Sequence, residues 1–277
     1  MIERDEALAG ALPAIADEAF TVLNTEGQIP TFSSRFAGFD LPAAYRVTAA
    51  VRERREGRGE VVVGRKIGFT NRTIWEEYRI SAPMWGYLYD RTVNDLADVA
   101  DGFSLAGLAE PRIEPEIIFG FAEAPKAGMD ERTILGCIGW VAHGFEIVQS
   151  IFANWEFALP DTVAGYGLHG ALLIGPRHEI GDDVDRWFAA LSTFDIDLSR
   201  NGAVVDHGKS ENVLGGPLSA LRHLIAVLDT DPVNPPLAAG EIVTTGTLTR
   251  AFPVTAGETW TTQLDGVPLE NARITFR

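Results

Sequence analysis

Pro111-Arg112-Ile113-Glu114-Pro115-Glu116-Ile117-Ile118-Phe119 sets two carboxylates, two residues apart, at the head of an apolar run. An extended strand sends residues i and i+2 to the same face. Glu114 and Glu116 then converge at the edge of a surface that the following residues mark for burial. Burying two like charges side by side is costly unless a cation joins them. A third carboxylate, Glu146, lies in another largely apolar segment. Three carboxylates around one small space suit a hard divalent ion such as Mg2+ or Mn2+, which takes oxygen ligands and keeps positions open for water or substrate. Taken alone, the pair fits a surface acidic cluster as well, because E-x-E is a common pattern.

The 277-residue chain is 46% hydrophobic and 22% charged, an ordinary globular balance that supplies a large core. A formal charge of −16 with no basic stripe argues against a nucleic-acid partner. Any site for an anionic substrate must then be locally electropositive, and a metal would make it so. The lone Cys137 rules out an intramolecular disulfide framework and fits a reducing compartment. Set in Leu135-Gly136-Cys137-Ile138-Gly139-Trp140, it reads as a buried, inert thiol rather than a nucleophile. Glu3, Arg4, Asp5 and Glu6 show no secretory pattern, and no apolar run is long enough for a bilayer. The expectation is a soluble, cytoplasmic protein.

Helical signals come first. Leu12, Ile15, Ala16, Ala19 and Leu23 fall at helical spacing over residues 2–24, with Pro13 expected to kink or divide that helix. Asp40 caps a second helix that runs toward Gly57. From Val61 the texture turns to β, with strands expected over 113–121, 140–150 and 170–174. Asn201-Gly202 signals a tight hairpin between 194–198 and 203–205. A helix over 217–228 precedes further strands at 241–245, 259–264 and 273–276. Helices followed by strands predict an α+β fold: a helical N-terminal part, residues 1–60, on a β-rich catalytic domain, residues 61–277.

Five blocks then carry a likeness. They are Gly64-Arg65-Lys66-Ile67-Gly68-Phe69-Thr70, Pro111 to Glu116, Phe145-Glu146-Ile147-Val148, Val213 to Leu218, and Ala239 to Thr249. In this order the chain resembles the 2-keto-4-pentenoate hydratase / 4-oxalocrotonate decarboxylase family, a branch of the fumarylacetoacetate hydrolase-like fold. The resemblance implies a mixed β-roll or sandwich with flanking helices, in homo-oligomers that in some pathways pair with a partner lyase. It implies a Mg2+ or Mn2+ site at Glu114, Glu116 and Glu146. It also implies a functional lysine at Lys66 and substrate contact near Thr247. Family substrates are 2-hydroxy-2,4-dienoates and their 2-oxo-enoate tautomers, intermediates of aromatic ring breakdown. The expected activity is a metal-dependent hydratase. The alternatives are a 2-oxo-enedioate decarboxylase, a carbon–carbon hydrolase of acylpyruvates, or an inactive stabilising subunit.

A divalent ion that chelates a 2-oxo acid acts as an electron sink for the enolate. Neighbouring groups must then select the outcome. Lys66 is the candidate for proton handling or for fixing the substrate anion, against the alternative of a surface lysine beside Arg65. Arg112, two residues before Glu114, is set equally between substrate contact and a structural ion pair. Met84 stands in Pro83-Met84-Trp85-Gly86 where hydratases of the family carry an acid. Met cannot shuttle a proton, so this departure favours decarboxylation, or a substitute acid at Glu76 or Glu77. Gln149 is a second departure, replacing an acid after Glu146. Pro115 is unusual between two ligands because it donates no ladder hydrogen bond. His143 and His169 are weighed mainly as structural residues, and the aromatics Trp75, Tyr78, Trp85, Tyr87 and Tyr89 mainly as core.

Overall fold

The computed structural model describes residues 2–277, with side chains from Glu6 onward, so the side chains of Glu3, Arg4 and Asp5 lie outside it. Three helices open the chain: α1 (Ile2–Val22), the single turn α2 (Phe32–Arg35) and α3 (Leu41–Gly57). Pro13 lies inside α1 and does not divide it, correcting the expected break. The missing N–H is offset because Leu12, Ile15, Ala16 and Ala19 are buried in a core shared with Ala44, Val47 and Val51 of α3. Asp40 caps α3, its carboxylate accepting from the Ala43 amide at 2.9 Å.

The body follows as β1 (Val62–Gly68), α4 (Trp75–Tyr78), β2 (Met84–Tyr89), β3 (Val93–Asp95), β4 (Arg112–Phe121) and α5 (Glu131–Gly136). Next come β5 (Ile138–Val148), α6 (Leu159–Ala164), β6 (His169–Ile174), β7 (His178–Glu179), α7 (Val184–Ser192), β8 (Asp195–Arg200) and β9 (Ala203–Lys209). The chain closes with α8 (Pro217–Asp229), β10 (Ile242–Thr244), β11 (Phe252–Pro253), β12 (Thr259–Asp265) and β13 (Arg273–Thr275). Among the described residues these strands form two sheets. The larger runs β2-β1-β10-β4-β5-β6-β3, with β11 on β4 and β7 on β5; the smaller runs β13-β12-β8-β9. The β1–β10 and β3–β6 pairs are parallel and the others antiparallel, so the large sheet is mixed. This is the expected α+β architecture.

Strand β2 escaped the sequence reading. Its run Met84-Trp85-Gly86-Tyr87-Leu88-Tyr89 is buried at every position, so it has no polar alternation to announce a strand. The hairpin at Asn201-Gly202 forms with both residues at positive φ, 51° and 82°, as a type I′ turn demands. Residues 231–236, between α8 and β10, are partly internal. Asn234 is buried and accepts from the Tyr87 hydroxyl at 2.9 Å.

Pro115 sits well inside β4, and the topology explains how. Odd-numbered carbonyls of β4 face away from β5, where Thr245 N donates to Ile117 O at 3.2 Å and Leu248 N to Pro115 O at 3.0 Å. The N–H that proline lacks would have pointed at this loop, so the β4–β5 ladder loses nothing. Gly64 lies where β1 is pressed against β10: a Cβ there would collide with the Ile242 carbonyl. Gly64→Ala is therefore expected to destabilise the protein by about 1–3 kcal/mol, read as a lower denaturation midpoint. An unchanged midpoint would contradict the close approach.

Candidate active site

In the β4–β5 ladder Glu114 lies directly opposite Glu146, and Glu116 opposite Gly144. All three carboxylates thus share one sheet face, and one oxygen from each lies within 4.8 Å of the others. Glu116 and Glu146 are fully buried, while Glu114 at the mouth keeps partial solvent contact. Lys66 reaches this face from β1, two strands away. Its Nζ lies 2.9 Å from Glu146 Oε2.

Each buried carboxylate has one oxygen held by neutral or imidazole donors and one turned to other partners. Glu116 Oε2 accepts from the Thr244 hydroxyl and, at 2.6 Å, from the Gly246 amide. Gly246 adopts φ 98°, a backbone state open to glycine, which aims that amide inward. Glu146 Oε1 takes His169 Nδ1 at 2.8 Å. Glu116 Oε1 receives no hydrogen bond, and Glu146 Oε2 is met by the Lys66 ammonium at 2.9 Å. One ammonium among three clustered carboxylates, with Glu116 Oε1 unanswered, leaves the site short of positive charge and calls for a further cation. An all-oxygen set of this kind fits Mg2+ or Mn2+.

The charges divide unevenly. Burial pushes the Glu116 carboxyl well up, and Glu146 and Glu114 add to that. Burial and Glu146 likewise raise Glu114, against the pull of Lys66. Glu146 goes the other way: burial opposes its charge, but Lys66 and His169 hold its carboxyl far below the usual range. Burial alone would lower Lys66, yet Glu146, Glu114 and Glu116 outweigh it and keep the ammonium charged. Without a cation, the site already holds one firm ion pair and two carboxyls that favour their protons.

Above the carboxylates opens a narrow cleft lined by Lys66, Glu114 and Thr247 at its polar end. Phe69, Ile74, Tyr78, Met84, Val148, Trp155 and Leu168 make the rest of the wall apolar. Met84 packs close over Gly68 beside the Lys66 stem, and a Cβ on Gly167 would stand 3.0 Å from Lys66 Cδ. These two glycines leave the slot through which the lysine reaches the acids. Thr247 is buried, its hydroxyl donating to Thr249 O at 3.0 Å.

Arg112 shares the strand face of Glu114 but turns to the aromatic wall. It donates to the Tyr78 hydroxyl at 2.6 Å, lies 4.3 Å from the Trp155 ring centre, and pairs with no carboxylate among the described side chains. Glu76 and Glu77 are exposed and absent from the cleft lining, so neither supplies the acid missing at Met84. Gln149 is spent on backbone, binding the Ala109 amide and His169 O, each at 3.2 Å. His143 is structural, bridging Glu116 O and the Thr262 hydroxyl at 2.9 Å each. Sequence reasoning missed Thr244, Gly246 and the contact of His169 with Glu146. No local spacing encodes them, because each acts across a strand pairing.

Relatives share this chain's length as well as its fold. A 2-hydroxyhexa-2,4-dienoate hydratase of Comamonas testosteroni is 30% identical over 81% of this chain and 82% of its own. A 4-oxalocrotonate decarboxylase of Pseudomonas sp. (strain CF600) is 29% identical over 88% of this chain and 89% of its own. The solved 4-oxalocrotonate decarboxylase from Pseudomonas putida G7, complexed with magnesium and adipate, superposes with a TM-score of 0.84 at 25% identity, covering 97% of this chain and 98% of that one. Residues 104–275 match the fumarylacetoacetate (FAA) hydrolase C-terminal family, and this chain belongs to that family.

Proposed function

We propose that the protein is a divalent-metal-dependent hydratase that adds water to a 2-hydroxy-2,4-dienoate or its 2-oxo-enoate tautomer. The observation that carries this is the cluster of three carboxylates, two of them buried and answered by a single charged lysine, at the polar end of an otherwise apolar cleft. Glu114, Glu116 and Glu146 would hold Mg2+ or Mn2+, and the ion would supply Lewis-acid stabilisation of charge on a 2-oxo oxygen. The magnesium bound by the Pseudomonas putida G7 relative supports the same choice. Lys66 fixes the substrate anion and handles its proton. Thr247 borders the polar end, while Met84 and the aromatic wall exclude water from the tail. Arg112, set against Tyr78 and Trp155, steadies that wall beside the substrate.

Decarboxylation of a 2-oxo-enedioate is the second reading, favoured by Met84. With Glu76 and Glu77 exposed, the cleft offers no carboxylate outside the triad to activate water. The proposal extends to a cytoplasmic homo-oligomer and to residues 1–60 as an appended helical part, both resting on the resemblance and the order of elements.

Metal-loaded protein should consume 2-hydroxypenta-2,4-dienoate with loss of diene absorbance and no CO2. Release of CO2 from 2-oxohex-3-enedioate instead assigns decarboxylation. Glu116→Gln keeps an oxygen for Thr244 and Gly246 yet should cost at least about 100-fold in turnover with the fold intact. Full activity in that variant would remove the metal site. Lys66→Ala should lower turnover far more than Mg2+ affinity, and the reverse order would contradict its role. In cation-free protein the raised Glu114 and Glu116 stabilise fully below the ordinary value of 4.5, and this is lost as pH rises through their folded values, about 7 for Glu114. Glu146, with its lowered value, loses its contribution only in strong acid. Thermal stability should therefore fall from pH 5 to pH 8 without metal, and saturating Mg2+ should flatten the trend. A flat cation-free profile would show that the three carboxylates do not compete for protons.

A further inference from the structure

We propose that His169, braced by Thr92, is a positioning residue that keeps Glu146 a one-oxygen ligand and thereby sets selectivity for small divalent cations over Ca2+. This inference rests on the metal reading given above. His169 opens β6, and its ring lies wholly inside the protein between two polar partners. Nδ1 is 2.8 Å from Glu146 Oε1 and Nε2 is 2.9 Å from Thr92 Oγ1. A carboxylate oxygen only accepts, so Nδ1 carries the proton and donates it. The Thr92 hydroxyl also lies 3.1 Å from Tyr89 O and has one proton to share between that carbonyl and the imidazole. Thr92 is itself buried, so the imidazole is held at both nitrogens and cannot turn away.

The consequence falls on Glu146. With Oε1 engaged by His169, Oε2 is the oxygen left for cations, met by Lys66 Nζ at 2.9 Å and able to serve a metal ion through its remaining lone pair. Glu116 repeats the arrangement: Oε2 is held by Thr244 and Gly246, leaving Oε1. Mg2+ demands a compact shell of single oxygens and retains water, whereas Ca2+ takes more ligands at longer range and readily grips both oxygens of one carboxylate. A donor on the second oxygen draws down its charge and biases Glu116 and Glu146 against two-oxygen binding, which disfavours the larger ion. Outer partners of metal ligands tune affinity in this way by about 10–100-fold.

Isothermal titration with MgCl2 and with CaCl2 tests the inference without any turnover assay. Wild-type protein should favour Mg2+. His169→Ala frees Oε1, so Mg2+ affinity should fall about tenfold or more while Ca2+ affinity holds or rises, and the ratio collapses. His169→Asn places an amide donor where Nδ1 stands and should recover most of the ratio. Thr92→Val keeps the shape, removes the brace, and should move the ratio in the same direction by a smaller step; if His169→Ala does not fold, this variant decides alone. An unchanged ratio in the variants that fold, including equal weakening of both ions, overturns the clamp while leaving the metal site standing. Failure of wild-type protein to bind either ion overturns the metal reading and the clamp together.

Discussion

Two carboxylates without solvent and a third at their rim, all on one face of a mixed sheet, are the constraint around which the molecule is organised. In an apolar interior such a cluster costs several kcal/mol per charge unless donors and cations answer it. The answers come from separate strands: an ammonium from β1, a hydroxyl and an amide from β10 and the turn after it, and an imidazole from β6. They leave Glu116 Oε1 without a donor and three carboxylates facing one ammonium. That incompleteness separates a binding site from a buried structural ion pair, where every lone pair finds a donor.

Much of the frame was legible in the residues. Two-residue spacing alone brings Glu114 and Glu116 to one face, the helical stripes of α1 and α8 read directly from apolar periodicity, and α3 reads from its Asp40 cap. Asn201-Gly202 marked its hairpin. Strand β2 was hidden because burial on both faces erases alternation. Pro13 does not divide α1, because a helix with a well-buried stripe tolerates one lost hydrogen bond. The β-roll itself came from ordered blocks resembling a family, since no local rule states which of many strands pair.

The site divides along the same line. Placing Glu146 opposite Glu114 requires the β4–β5 register, and placing Lys66 requires knowing that β10 lies between β1 and β4. His169 illustrates the limit. As a sequence feature it is one histidine among five, and only the pairing of β5 with β6 puts it behind a glutamate. Glu76 and Glu77, plausible acids by proximity in the chain, end up in solvent because the turn of α4 presents Ile74 and Tyr78 inward instead.

The core formed by α1 and α3 also contains Met84, Val148, Trp155 and Leu168, with Phe69 and Tyr78 packed against it. The same six side chains wall the cleft. Helices α1 and α3 therefore back the apolar wall of the cleft. Changes in how these two helices pack can reshape that wall while the acids and lysine stay still, so the form of the cleft is mechanically separable from its charged end.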